Sequence, residues 1–237
     1  MHRESFKREI PGLDLTKVKD LQIKICLEKV VESSIGPGLK RFRFIHQALP
    51  EIDWEEIELA VDVFGKKLSA PILISSITGG TPQSAEINRN LAKAAQTLNI
   101  GMVVGSQRIA IENPSLAPSY QVRDVAPNIL LFGNLGAVHL NHGYGIEQCL
   151  QAIRMIHADG LSLYLNPLQK LFQRKGSTNF KGLVEKITHI YRRAQDLYVL
   201  HRSKKLERTC QGKINHDGRI INIIHKEGVW KNPKSLI

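Results

Sequence analysis

From Pro71 onward, short apolar runs alternate with amphipathic stretches. PILISS (71–76) reads as a strand rich in β-branched residues and is followed by TGGTPQ, a turn carrying two glycines. AEINRNLAKAAQTLN then predicts a helix with Ile87, Leu91, Ala94, Ala95 and Leu98 on one face. GMVVGS, NILLFGNLGA and DGLSLYLN predict three more strands, and IEQCLQAIRMIHA and FKGLVEKITHIYRRA two more helices. Strands that are almost wholly apolar and separated by helices predict a parallel sheet with both faces covered, so the fold class is α/β.

Each strand ends in small or polar residues: Thr78-Gly79-Gly80, Ser106-Gln107-Arg108, Asn134-Leu135-Gly136 and Asn166-Pro167-Leu168-Gln169. Ligands of parallel α/β sheets sit at the carboxyl ends of the strands. One such tip is ordinary turn chemistry; four in consecutive units point to a shared site. The structural alternatives at each position stay open. Thr78 and Gly79 can form a tight turn, Asn134 can cap the next segment, Arg108 can sit in a surface ion pair, and Gln169 can bond backbone amides.

The flanks differ from this middle. Residues 1–70 read as an N-terminal cap or lid, with a helix over TKVKDLQIKICLEKVVES (Leu21, Ile25 and Val18 on one side) and a strand in ELAVDVF. Residues 71–193 carry the βα pattern. Residues 194–237 form a basic tail with one candidate strand, LYVLH, and one later apolar run, IINII. The chain's net charge is +11, and residues 191–237 hold 11 Lys/Arg against 4 Asp/Glu. Such a tail suits an acidic partner, which keeps a nucleic-acid-binding reading open on charge alone. Cys26, Cys149 and Cys210 are far apart and match no metal spacing, so they read as cytoplasmic free thiols. The charged start lacks the apolar core of an export signal, and no apolar run reaches membrane-spanning length.

SSITGGT, GSQR, NLGA and LNPLQ, in that order, together with FIHQALPEIDW and GSTNFKGLVEKI, resemble the FMN-dependent type 2 isopentenyl-diphosphate Δ-isomerases over about residues 17–190. The resemblance implies a (β/α)8-barrel fold, of which this chain is expected to hold about the N-terminal half, the tail being an appended, degenerate end. It implies an isomerase of isoprenoid biosynthesis that interconverts isopentenyl and dimethylallyl diphosphate, with FMN, NADPH and Mg²⁺ as cofactors. A cytoplasmic homo-oligomer is the expected setting. By the same resemblance Ile77, Thr78, Gly79, Ser106 and Asn134 contact the flavin. Lys17, Ser106, Gln107, Arg108, Asn166 and Gln169 contact the substrate, with Gln169 catalytic beside the alkene.

This chain departs from the family pattern in places. Tyr164 stands at a family His, and Lys170 stands at the Glu to which the Mg²⁺ role attaches. An ammonium has no lone pair to offer a metal, so no metal ligand is assigned. Near the N-terminus Thr16-Lys17 and Asp20 occupy the family's Arg-Lys and His positions. A non-catalytic remnant of the family is therefore the second reading, and a basic nucleic-acid binder the third.

Overall fold

The computed structural model describes residues 15–31, 42–172, 177–193 and 198–201. Helix α1 covers Leu15–Glu28. Strands β1 (Val61–Val63) and β2 (Lys66–Leu68) form an antiparallel hairpin. Its two-residue turn, Phe64-Gly65, holds both residues at positive φ (52° and 73°), the geometry that matches strand twist. The expected strand in ELAVDVF is β1.

Strands β3 (Leu73–Ile74), β4 (Gly101–Val103), β5 (Leu131–Gly136), β6 (Gly160–Tyr164) and β7 (Tyr198–His201) form one parallel sheet in sequential order. Between them run α2 (Pro82–Leu98), α3 (Arg108–Glu112), α4 (Ile146–Ile156), α5 (Pro167–Phe172) and α6 (Leu183–Arg193). All four expected strands are present, each shorter than its apolar run. LYVLH supplies the fifth, past residue 193, where the βα pattern is expected to stop. The run IINII lies outside the described residues. The chain is thus a mixed α/β protein built on a parallel sheet.

Alternation along the strands divides the core. Leu131, Leu135, Leu161 and Leu163 pack against the helices, meeting Ala92 and Ala95 of α2, Cys149 and Ala152 of α4, and Leu183, Ile187 and Ile190 of α6. Val103 and Phe132 point the other way, onto Val63 and Leu68 of the hairpin. Farther along that second face the same alternation sets Asn134, Ser162 and Tyr164. The hairpin therefore covers the amino-terminal part of this face, and a polar row follows it toward the strand tips.

Helix α2 starts at a capping box. Ser84 N–H donates to Thr81 Oγ1 at 3.2 Å, and Thr81 N–H donates to Ser84 Oγ at 2.8 Å. It ends at Asn99 in the left-handed region. Its buried face differs from the expected one. Ser84, Asn88, Ala92 and Ala95 are buried, whereas Ala94 and Leu98 are exposed. Two polar residues go inward because they satisfy backbone groups: Asn88 Nδ2 donates to Thr78 O (3.3 Å) and Ser119 O (2.9 Å).

At the amino-terminal end of the sheet Asp159 gathers two cations. Lys66 Nζ and Arg123 Nη2 each lie 2.8 Å from its carboxylate, and Leu131 N–H donates to it at 2.8 Å. This cluster lies at the end opposite the tips and ties β2, β5 and β6 together.

Candidate active site

The tips after β3 and β4 meet through backbone. Gly105 N–H donates to Thr78 O at 3.1 Å, and a Cβ at Gly105 would lie 2.2 Å from that oxygen, so glycine is required there. Gly79 and Gly80 have packing reasons too. A Cβ on Gly79 would stand 1.9 Å from Cε1 of Tyr120, and one on Gly80, whose φ is +97°, 1.9 Å from Cδ1 of Ile109. The buried Tyr120 hydroxyl donates to Ser106 O at 2.8 Å. Burial, with the Tyr164 phenol second, raises its pKa, so it stays a donor. Thr78 is buried, Ser106 half-buried, and Ile77 exposed.

The tips of β4 and β5 are clamped by Gln107. Its backbone N–H donates to Asn134 O (2.9 Å), its Oε1 accepts from Asn134 N–H (2.9 Å), and its Nε2 donates to Ala152 O (2.7 Å). The side chain is fully buried on the helix side of the sheet, so its amide is engaged within the protein. Asn134 is 2% exposed, and its Oδ1 has no hydrogen-bond partner. It does not cap the next segment: the 3₁₀ turn Ala137–Asn141 starts at Gly136 without a side-chain bond. An orphaned acceptor buried at a strand tip is uncommon and marks a place for a donor.

The tips of β5 and β6 share register, with Asn134 opposite Ser162 and Gly136 opposite Tyr164. A Cβ on Gly136 would lie 2.9 Å from the Tyr164 hydroxyl oxygen and 3.1 Å from Cδ2 of His139. Asn166 begins α5, its Oδ1 accepting from Gln169 N–H at 3.1 Å. Gln169 is exposed, while its neighbour Lys170 is buried with Nζ 5.5 Å from the Tyr164 ring centroid.

Three residues the sequence reading passed over also belong to this region. His139 is 4% exposed and its Nε2 has no partner. Burial first, then Arg108, Lys170 and His142, lower its pKa to about 4, so the imidazole is neutral. Tyr144 stacks at 5.4 Å on His139 and donates to Glu112 Oε1 at 3.3 Å, and Glu112 also pairs with Arg108 Nε at 3.4 Å. Burial, with Glu112 next, raises the Tyr144 phenol to about 12. Lys19 of α1 is held below its ordinary pKa by burial, then by Lys170 and Arg108. Lys17 lies exposed on the same helix. No motif signals Lys19 or His139; only the spatial overlap with Arg108 and Lys170 does.

No family model matches the chain. Curated relatives do. The chain is 49% identical over 169 residues to an isopentenyl-diphosphate delta-isomerase of Nostoc, spanning 71% of this chain and 48% of the relative. It is 52% identical over 170 residues to that of Synechocystis, covering 71% and 49%. For the enzyme of Thermococcus onnurineus the figures are 43% over 185 residues, 75% and 50%. The matched stretch shares its descent with the isopentenyl-diphosphate delta-isomerases. The chain spans about half the length of these isomerases. Among solved structures, an (S)-mandelate dehydrogenase chimera aligns at 19% identity with a TM-score of 0.43, covering 77% of this chain and 60% of that one. A likeness that loose carries no further conclusion. No helix among the described residues is long and apolar enough to cross a membrane.

Proposed function

We propose that this chain carries the flavin- and diphosphate-binding end of an FMN-dependent, type 2 isopentenyl-diphosphate Δ-isomerase. The observation that carries the reading is the orphaned Oδ1 of Asn134, buried where the tips of β4, β5 and β6 meet. The sequential strand order supports a segment of a (β/α)8 barrel, since a doubly wound sheet reverses order at a switch point.

In this reading Ile77, Thr78, Gly79, Ser106 and Asn134 hold FMN, the first three largely through backbone. The unpartnered Asn134 acceptor would suit a donor of the kind a flavin ring offers, which gives the group a fit on this chain's own residues. When bound and reduced at the expense of NADPH, FMN would supply the acid–base chemistry of an alkene shift that adds a proton at one carbon and removes one from another. Arg108, half-buried and held by Glu112, offers its remaining guanidinium donors to a phosphate. Lys17 on α1, Asn166 just before α5 and Gln169 within α5 would supply further polar contacts to the substrate. Gln107 acts as a positioning residue, because its amide fixes the Asn134 backbone. The low dielectric around Tyr120, Tyr164 and His139 strengthens each of these contacts.

Magnesium does not fit. Lys170 stands at the carboxylate position, and the described residues contain no group of three or more His, Cys, Asp or Glu that could hold an ion. That mismatch is the observation behind the second reading, a family member that binds its ligands without turning them over.

The test is anaerobic incubation of the full chain with FMN, NADPH and isopentenyl diphosphate. Dimethylallyl diphosphate formed by yellow, flavin-bound protein is the expected result. Flavin-bound protein without product would leave the binding remnant, and colourless protein without product would end both readings. The nucleic-acid reading rests on residues 194–237, of which only 198–201 are described.

A further inference from the structure

The residue that excludes magnesium is buried beside other cations, and its surroundings suggest what it does instead. We propose that this chain grips a diphosphate with a metal-free cluster of three cations, Lys170, Arg108 and Lys19. The proposal takes from the isomerase reading only the choice of diphosphate as the anion.

Lys170 is 6% exposed, which is rare for an ammonium, and its Nζ faces the Tyr164 ring at 5.5 Å. Tyr164 in turn lies against Gly136, at the tip of β5. Arg108 opens α3 from the tip of β4, and Lys19 comes from α1. His139 ties two of them together: its ring stacks at 5.4 Å on Tyr144, whose hydroxyl donates to the Glu112 that pairs with Arg108, and it crowds Gly136 beside the Tyr164 ring that Lys170 faces. Lys19 joins them, its basicity lowered by burial and then by Lys170 and Arg108. Glu112, paired with Arg108 at 3.4 Å, offsets one of the charges. Like charges gathered in a half-buried place repel, and a polyanion with several oxygens relieves that repulsion.

A second observation points to the same ligand. His139 borders this cluster, buried and neutral, with an Nε2 that has no partner. In the Nε2–H tautomer it donates to an anionic oxygen. A magnesium ion would find the opposite: hard cations take oxygen ligands, and this cluster offers nitrogens that already bear protons.

The experiment is calorimetric titration of the full chain with inorganic pyrophosphate, first in EDTA and then in excess Mg²⁺. Binding in EDTA is expected, no tighter in Mg²⁺, and weakening as salt rises. Lys170→Met should weaken it at least about tenfold. Should that variant fail to fold by circular dichroism, Arg108→Gln and Lys19→Met, at half-buried positions, carry the same expectation. Binding that appears only with Mg²⁺ would overturn the proposal, as would variants that keep wild-type affinity. A parallel FMN titration separates the failures. Flavin bound with no pyrophosphate uptake refutes the cluster and spares the isomerase reading, whereas neither ligand binding refutes both.

Discussion

Replacing Gln107 with leucine separates a clamp from a ligand contact. The side chain joins two strand tips and a helix, accepting from Asn134 N–H at 2.9 Å and donating to Ala152 O at 2.7 Å. Leucine fills much of the same volume but makes neither bond. The buried Asn134 N–H then has no acceptor, at about 1–3 kcal/mol. The bond to Ala152 O adds about 0.5–1.5 kcal/mol, since that carbonyl keeps a helical partner. The expected loss is about 1.5–4.5 kcal/mol. Urea unfolding followed by circular dichroism measures it, with an unchanged m-value showing that the two states remain comparable. Flavin affinity should fall with stability, because the Asn134 backbone is released. A loss below about 0.5 kcal/mol together with abolished pyrophosphate binding would refute the clamp and make Gln107 a direct ligand contact.

Three further outcomes are expected. His139 has a folded pKa of about 4 against an ordinary value of 6.5, so between these pH values the unfolded chain binds the proton and the folded chain does not. Stability is intact above pH 6.5 and falls on acidification at about 1.4 kcal/mol per pH unit toward pH 4, a slope that His139→Phe should remove in urea midpoints taken across that range. Gly79→Ala drives a methyl into the Tyr120 ring and should cost about 1–3 kcal/mol; thermal unfolding within a degree of wild type would contradict the packing account. Asp159→Ala leaves Lys66 and Arg123 facing each other and strips Leu131 N–H of its acceptor. A chemical-denaturation loss of about 2–4 kcal/mol is expected, and one under about 0.5 would contradict a structural role.

Much of the architecture is written in local pattern. Apolar runs located β3 to β6, LYVLH located β7, and the helical spacing of AEINRNLAKAAQTLN located α2, whose capping box at Thr81 and Ser84 only the structure reports. What local pattern misses is the partner of a buried polar group. Asn88 faces inward because the carbonyls of Thr78 and Ser119 need a donor, and no periodicity in α2 reports that. The helix side of Gln107 is equally hidden, since Ala152 is 45 residues away. At the site, the tips themselves were legible from Thr78, Ser106 and Asn134. Lys19 and His139 were not, because each acquires its chemistry from burial and then from Arg108 and Lys170, conditions that only folding creates. The burial order at the fourth tip is also hidden from local pattern: Gln169 is exposed and Lys170 is inside.

The measurement closest to the central claim is an anaerobic FMN titration of wild type and Asn134→Leu, read by flavin fluorescence alongside urea midpoints. Asn134 Oδ1 bonds nothing within the protein, so its removal should leave stability within about 1 kcal/mol. The account predicts one FMN per wild-type chain and an affinity at least about tenfold weaker in the variant. Equal flavin affinity in the two proteins, or none in either, would contradict it.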